Sequence, residues 1–313
     1  MNTIFKSIAL VLLAISIFSC SKKGAIEIKN KNFSEEVNLQ QNLVIEFSED
    51  VVGDSVVDAW TEDQLITFTP AVKGMFKWTA ANELTFSPTS AFAASTDYKA
   101  EISEEILKQN PDKKLSLGDE IKFEFHTPYL NLVQIDNFWA KKESNKAVNE
   151  VRMSLTFNYK INPSQLKELL SIQIDNKPVT IDYYTSAVSN VVEIGISEST
   201  TSFDDKKAII SIKAGLKCGE SAFVTKDAVT IESFISSKGT FIITGAIAEY
   251  SDKSGYISVS TNQEIATEDI ESLIKIDPSL DFSIEKQGAG FFIKGEFTTG
   301  QAYELSIDKK LQG

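Results

Sequence analysis

Apolar and polar residues alternate with a period of two along most of this 313-residue chain, and that period restricts the fold more than any other feature. Successive side chains of a β-strand point to opposite faces, so alternation over a short run marks a strand with one buried face. Leu43, Ile45 and Phe47 fall on one face, with Val44, Glu46 and Ser48 on the other. The same reading holds for Ile66/Phe68, Leu84/Phe86, Tyr98/Ala100/Ile102 and Ile121/Phe123/Phe125. Beyond Pro128 it resumes in Val151/Met153/Leu155/Phe157/Tyr159, Ile172/Ile174, Val192/Ile194/Ile196 and Ile210/Ile212. A third series runs through Ile257/Val259, Ile274/Ile276, Phe282/Ile284, Phe291/Ile293 and Tyr303/Leu305/Ile307. No amphipathic helix of ordinary length interrupts the pattern. The expected fold class is all-β, in antiparallel sandwiches.

Two short helical turns expose an internal repeat. In NPSQLKELLSIQID, Asn162 reads as an N-cap and Pro163 as the first helical residue, with Leu166, Leu169 and Leu170 on one face. In ATEDIESLIKIDP, Thr267 takes the capping place and Ile270, Leu273 and Ile274 repeat the face. The offset that aligns these turns also aligns Leu155 with Val259 and Ile172 with Ile276. A second correspondence joins AIISIKAGLKCG, from Ala208, to YELSIDKKLQG, from Tyr303. Spacing of about 100 residues with short alternating strands fits tandem immunoglobulin-like sandwiches. Three are expected, near 26–128, 129–232 and 233–313. The first two close with LGDEIKFEFHTP and ESAFVTKDAVTIESF, whereas the third reaches Gly313 where such a strand is due. The last sandwich is therefore expected to be truncated and the sequence to be a fragment of a longer protein, because an unpaired edge is a hazard that natural domains avoid.

The first twenty residues bear on location. Lys6 precedes an unbroken apolar run from Ile8 to Phe18, far shorter than the ~20 residues a membrane-spanning helix needs. A positive start, a short apolar stretch and then small residues read as a secretory signal over 1–19. Ile17-Phe18-Ser19-Cys20 resembles a bacterial lipobox, with Phe18 bulkier than the usual residue. That resemblance implies that Cys20 takes a diacylglycerol thioether and becomes the acylated N-terminus, with 20–25 as its tether. The protein would then be a membrane-anchored lipoprotein of the cell envelope, at the periplasmic face of the outer membrane. Without Lys6 the chain keeps 30 basic and 44 acidic residues, a net charge of −14. Such a body has no basic stripe for nucleic acid and would be repelled by an anionic bilayer, leaving the lipid as its membrane contact. Cys218 is the only other cysteine, so no disulfide framework supports the fold.

The first sandwich carries the most specific motif set: FSEDV at Phe47, ITFTPAVKGMFKW from Ile66 to Trp78, LTFSP from Leu84 to Pro88, and AFAASTDYKAEI from Ala91 to Ile102. Trp78 and Phe86 are placed to fill the layer between two sheets, and Pro70 and Pro88 to end strands. Tyr98 is placed to set its hydroxyl near a corner. This arrangement resembles the N-terminal domain of bacterial alpha-2-macroglobulin-like lipoproteins, large envelope proteins that trap proteases after cleavage of a bait segment. The resemblance implies that the chain is the anchoring and scaffold portion of such an inhibitor. Bait and thioester would lie beyond it, and proteases would be partners of the full-length protein only. Its sandwiches would give reach from the anchor, with interfaces that can pivot. An alternative is an adhesion or glycan-binding lipoprotein that uses the same sandwiches as spacers.

No constellation of side chains points to catalysis. Cys218-Gly219-Glu220-Ser221 matches the family thioester pattern Cys-x-Glu-Gln except at Ser221, which has no carboxamide to acylate the thiol. Cys218 reads as a small buried hydrophobe. His126, the single histidine, is expected to face solvent on a strand. Glu49-Asp50, Glu62-Asp63, Glu104-Glu105 and Asp204-Asp205 read as solvated turn charges. Asp136 and Asn137 suggest at most a share in an interdomain calcium site. The chain is thus expected to have no catalytic residue, metal or cofactor site, with Cys20 its one modification site. Replacing Cys20 by Ala is expected to release the protein from the membrane fraction of lysed cells; retention equal to that of the parent would contradict lipidation.

Overall fold

In the computed structural model, the described residues are 24–198, 205–219, 224–251 and 254–313. The signal segment 1–19, Cys20 with most of its tether, Glu220, Ser221 and Asp204 lie outside them. Two compact units result, one formed by residues up to Phe92 with Asp97–Thr127, the other by Ala93–Thr96 with Pro128–Gly313. Among the described residues no helix is long and apolar enough to cross a membrane.

Among the described residues the first unit contains ten strands: β1 (Ala25–Ile26), β2 (Ile28–Lys31), β3 (Leu43–Phe47), β4 (Trp60–Thr61) and β5 (Ile66–Thr69), then β6 (Gly74–Ala80), β7 (Glu83–Pro88), β8 (Asp97–Ile102), β9 (Ser116–Leu117) and β10 (Lys122–His126). A five-stranded sheet of order β2-β3-β7-β6-β4 and a three-stranded sheet of order β10-β8-β5 form its layers. The alternation seen in sequence sets the faces. Leu43, Ile45, Phe47, Trp78, Leu84 and Phe86 from one sheet, and Ile66, Phe68, Tyr98, Ala100, Phe123 and Phe125 from the other, form one buried cluster. Phe68 lies 4.7 Å from Phe86 across the layers, while Phe76 and Phe86, 4.9 Å apart, and Tyr98 and Phe125, stacked at 5.0 Å, are cross-strand neighbours within a sheet. Each such pair adds about 0.5–1.5 kcal/mol beyond the area it buries. The indole N–H of Trp78 is buried without a hydrogen-bond partner among the described residues. The sequence pattern did not reveal the short parallel pair β1–β9.

His126 departs from its expected exposure. Its side chain is only 22 % exposed, because the Glu35–Val37 segment runs alongside: the His126 amide donates to the Glu35 carbonyl, and the Val37 amide donates to the carbonyl of His126. Its Nδ1 lies 3.0 Å from the Thr127 carbonyl oxygen and 3.9 Å from the Glu36 carboxylate.

The second unit holds two sandwiches. Its first strands are β11 (Leu132–Lys141), β12 (Asn149–Ile161), β13 (Leu170–Ile174), β14 (Lys177–Pro178), β15 (Asp182–Tyr183), β16 (Ser189–Ser197), β17 (Lys206–Ile212) and β18 (Val229–Ile235). They form sheets of order β11-β12-β16-β15 and β14-β13-β17-β18 over a core that includes Val151, Met153, Leu155, Ile172, Ile194 and Ile210. Next come β19 (Ile243–Ser251), β20 (Ser254–Thr261), β21 (Ile274–Asp277), β22 (Phe282–Lys286), β23 (Gly290–Gly295) and β24 (Glu304–Ile307). Their sheets have orders β19-β20-β23-β22 and β21-β24. The repeat is real in space: β12 and β20 are equivalent inner strands, Ile172 pairs with Ile210 as Ile276 pairs with Leu305, and Leu216 and Leu311 are both buried. β17 has a strand on each side, whereas β24 pairs only with β21 among the described residues.

The two helical turns are unequal. Asn162 caps a helix α1 (Pro163–Leu169), its side chain accepting from the Ser164 amide at 2.9 Å. The counterpart is a single 3-10 turn, Glu271–Leu273. Thr267 does not cap it, since its hydroxyl accepts from the Gln312 amide; Asp269 takes that role, accepting from the Ser272 amide at 3.2 Å. Ile270 and Ile274 are nevertheless buried, as the periodicity required.

The glycine of the ITFTPAVKGMFKW motif has a packing reason. A Cβ on Gly74 would stand 2.3 Å from the Phe86 ring and 2.6 Å from the Ser87 carbonyl oxygen. Gly74→Ala is therefore expected to destabilise the first unit by about 1–3 kcal/mol, the usual cost of overpacking. Denaturant unfolding measures it; a midpoint equal to that of the parent would contradict the close approach.

Candidate functional site

Among the described residues, those weighed in the sequence and read as non-catalytic each have a structural place. Cys218 is buried among apolar side chains, with its Sγ 3.9 Å from the Ala94 carbonyl oxygen. Glu62, Asp63, Glu104 and Glu105 are exposed in loops or in a 3-10 turn, and Asp205 accepts from the Ser237 amide at 2.7 Å. Among the described residues no group of three or more His, Cys, Asp or Glu side chains is arranged to hold a metal. Asp136 accepts both its close bonds from Gln134, at 2.8 and 3.0 Å. Asn137 instead donates to Ser233 and to the Phe234 carbonyl at 3.0 and 2.9 Å.

Beyond Asn137, a polar joint holds the two sandwiches of the second unit together. Two residues along β11, the Trp139 indole N–H donates to the Ser236 carbonyl at 2.9 Å. The Trp139 backbone then pairs with the other sandwich in parallel fashion: its amide donates to the Asn262 carbonyl at 2.8 Å, and the Glu264 amide donates to the Trp139 carbonyl at 2.9 Å. The Lys141 amide donates to the Glu264 carboxylate at 3.0 Å. Asn262, 2 % exposed, lies at the centre. Its Nδ2 donates to the Thr240 carbonyl and to Ser236 Oγ, and its Oδ1 accepts from the Ile242 amide. Gln263 Nε2 donates to the carbonyls of Lys238 and Thr240. A buried amide with each group engaged fixes one geometry, since any other would leave polar atoms unpaired. The sequence signals were a tryptophan between Phe138 and Ala140 near the end of β11 and Asn262-Gln263-Glu264 directly after β20; neither is periodic, so pattern reading passed over both.

A second polar cluster covers the outer face of the sheet containing β12. Glu150, fully buried, accepts from Arg152 Nη2 at 2.8 Å and from the Tyr184 hydroxyl at 2.5 Å. The Arg152 guanidinium lies 4.8 Å from the Tyr184 ring centroid and 3.4 Å from the Glu143 carboxylate. Gly195 makes room: a Cβ there would come within 2.6 Å of Glu150 Oε2. Burial, then the hydrogen bond to Glu150, push the Tyr184 phenol well above its ordinary range, so it remains a donor. The Glu150 carboxylate is committed to these partners. Breaking one side of such a pair costs about 3–5 kcal/mol, which fits a structural role.

With this geometry established, comparison with known proteins gives the class. Residues 26–127 match the family described as bacterial Ig-like domain. Over 150 residues, 48% of this chain, the sequence is 22% identical to an alpha-2-macroglobulin of Pasteurella multocida (strain Pm70). The chain is thus all-β, with a bacterial Ig-like domain matched over residues 26–127 and similarity to an alpha-2-macroglobulin over about half its length. It spans only 8% of that relative's length. Among solved structures, L,D-transpeptidase 3 from Mycobacterium tuberculosis is 12% identical, with 41% of this chain and 44% of that one covered and a TM-score of 0.22. Another L,D-transpeptidase, from M. tuberculosis H37Rv, is 9% identical, covering 67% of this chain and 79% of that one at a TM-score of 0.23. Likeness at that level carries no weight for fold or activity.

Asn262→Ala removes three side-chain hydrogen bonds and leaves the Ile242 amide and Ser236 hydroxyl to find other partners. It is expected to destabilise the second unit by about 1–3 kcal/mol, measured by denaturant unfolding followed through tryptophan fluorescence. A change under about 0.5 kcal/mol, the range of surface substitutions away from such features, would contradict the central place of this side chain.

Proposed function

We propose that this chain is the envelope-anchored scaffold portion of an alpha-2-macroglobulin-like protease inhibitor, with no enzymatic activity of its own. The joint at Trp139 and Asn262 carries this reading: a chain that hydrogen-bonds one Ig-like sandwich to the next through backbone and buried amide is suited to hold other parts at a fixed distance. The similarity to alpha-2-macroglobulin over about half the chain supports the choice of protein class. Cys20 would carry the lipid. The few residues between it and Ile26 would reach no further than about 20 Å, at roughly 3.3–3.6 Å per extended residue. The acidic body would stand off an anionic membrane. Protease capture would belong to the product of the whole gene.

The test is to incubate this chain, and separately the product of the whole gene, with trypsin and with elastase. Cleavage of a large protein substrate is then followed, with denaturing gels for adducts. The chain alone is expected to leave both proteases fully active and to form no covalent adduct, while the whole product slows cleavage. Inhibition by the chain alone would contradict the scaffold role, and a whole product without effect on either protease would contradict the inhibitor class.

A further inference from the structure

The first unit ties its N-terminal stretch to its C-terminal stretch by parallel pairing in two places. In one, residues 24–28 run beside residues 116–120. The Ser116 amide donates to the Gly24 carbonyl at 3.0 Å, the Gly118 amide to the Ile26 carbonyl at 3.0 Å, and the Ile28 amide to the Glu120 carbonyl at 2.8 Å. In the other, residues 35–37 run beside the end of β10: the His126 amide donates to the Glu35 carbonyl, and the Val37 amide to that of His126.

The alternate residues of the N-terminal stretch face Ser48. Its Oγ accepts from the Glu27 amide and donates to the Ala25 carbonyl, each at 3.1 Å, and its amide donates to the Glu27 carbonyl at 2.9 Å. Both edges of this short stretch are therefore engaged, and Ile26 is fully buried in the core of the unit. β1 is held more firmly than its two residues suggest.

The parallel sense decides how a load would reach these bonds. A pull on the chain ahead of Gly24 and a pull on the chain beyond Thr127 act along the paired strands in opposite directions. The hydrogen bonds run across the strands, so they are strained together and none opens ahead of the rest. A hairpin pulled at its two adjacent ends opens one bond at a time instead.

We propose that the two parallel pairings form a shear clamp that keeps the first unit folded when the chain is pulled between its N-terminal end and the second unit. The source of the load rests on the reading of Cys20 as a membrane anchor. Only Ser21, Lys22 and Lys23 separate Cys20 from Gly24, so a pull on the lipid would enter the unit at the clamp itself.

The experiment stretches single molecules of the chain from Cys20 onward, produced without lipid, at constant force between two thiol handles. Cys20 is one handle and Val133→Cys, at an exposed position of β11, is the other; Cys218 is buried. Ser116→Pro deletes one loaded amide at an exposed residue. It is expected to shorten the folded lifetime under load about five- to tenfold, the equivalent of one hydrogen bond. Ile26→Ala, which loosens the same stretch, takes its place if the proline prevents folding. A second geometry, Cys20→Ser with Gly53→Cys and Val133→Cys, lets the load bypass both parallel pairings, and a side chain at residue 53 meets open space. Pulled in this way, the otherwise unchanged unit is expected to unfold several-fold faster than when pulled from Cys20. A lifetime that does not depend on the direction of pull overturns the proposal, as does a lifetime from Cys20 that the folded variant leaves unchanged. No lipid is present, so this result and the fractionation of Cys20→Ala fail independently.

Discussion

The backbone pairing of Trp139 with residues 262–264 is the interaction on which the second unit depends. Interfaces between domains of one chain are usually polar and modest, and relative motion is the default. Here a strand of one sandwich exchanges main-chain hydrogen bonds with a segment of the next, and Asn262 holds that segment by contacts to Ser236, Thr240 and Ile242. The linker between the sandwiches is thus part of the joint it crosses. A freely pivoting interface, expected from the general behaviour of tandem sandwiches, is not what this geometry provides.

The polar clusters do a different task from the apolar cores. Each core is a layer of alternating side chains and tolerates the loss of a methylene with a graded cost. The Glu150–Arg152–Tyr184 cluster and the Asn262 joint admit few alternatives, because moving any member strands a buried donor or acceptor. Apolar packing, rich in aromatic rings in the first unit and mainly aliphatic in the second, therefore sets the stability of the sandwiches, and hydrogen bonds set the relation of the two within the second unit. β19 belongs to neither group: its apolar residues have no cover among the described residues.

Period-two alternation identified the inward faces of β3, β7, β8, β12 and β16 because each strand's pattern is local and its burial one-sided. The cap at Asn162 was legible for the same reason, as its partner is two residues away. What the sequence hid depends on distant partners. His126 is covered by a segment some ninety residues earlier in the chain. The turn near Thr267 is shorter than its repeat because Gln312 engages that hydroxyl, leaving Asp269 to cap. The Asn137 side chain donates across to β18, a partner almost a hundred residues on. The joint was least legible, since Trp139 and Asn262 gain their meaning only when the two sandwiches meet.

Native-state hydrogen exchange at the Trp139 and Glu264 amides tests the central claim most directly, because these two donors form the main-chain bridge. If the sandwiches are held as one body, both amides exchange as slowly as those of the inner strands β12 and β20, and only through unfolding of the second unit. Exchange at the rate of exposed loops, with β12 and β20 still protected, would mean that the joint opens on its own and that the scaffold is a flexible string.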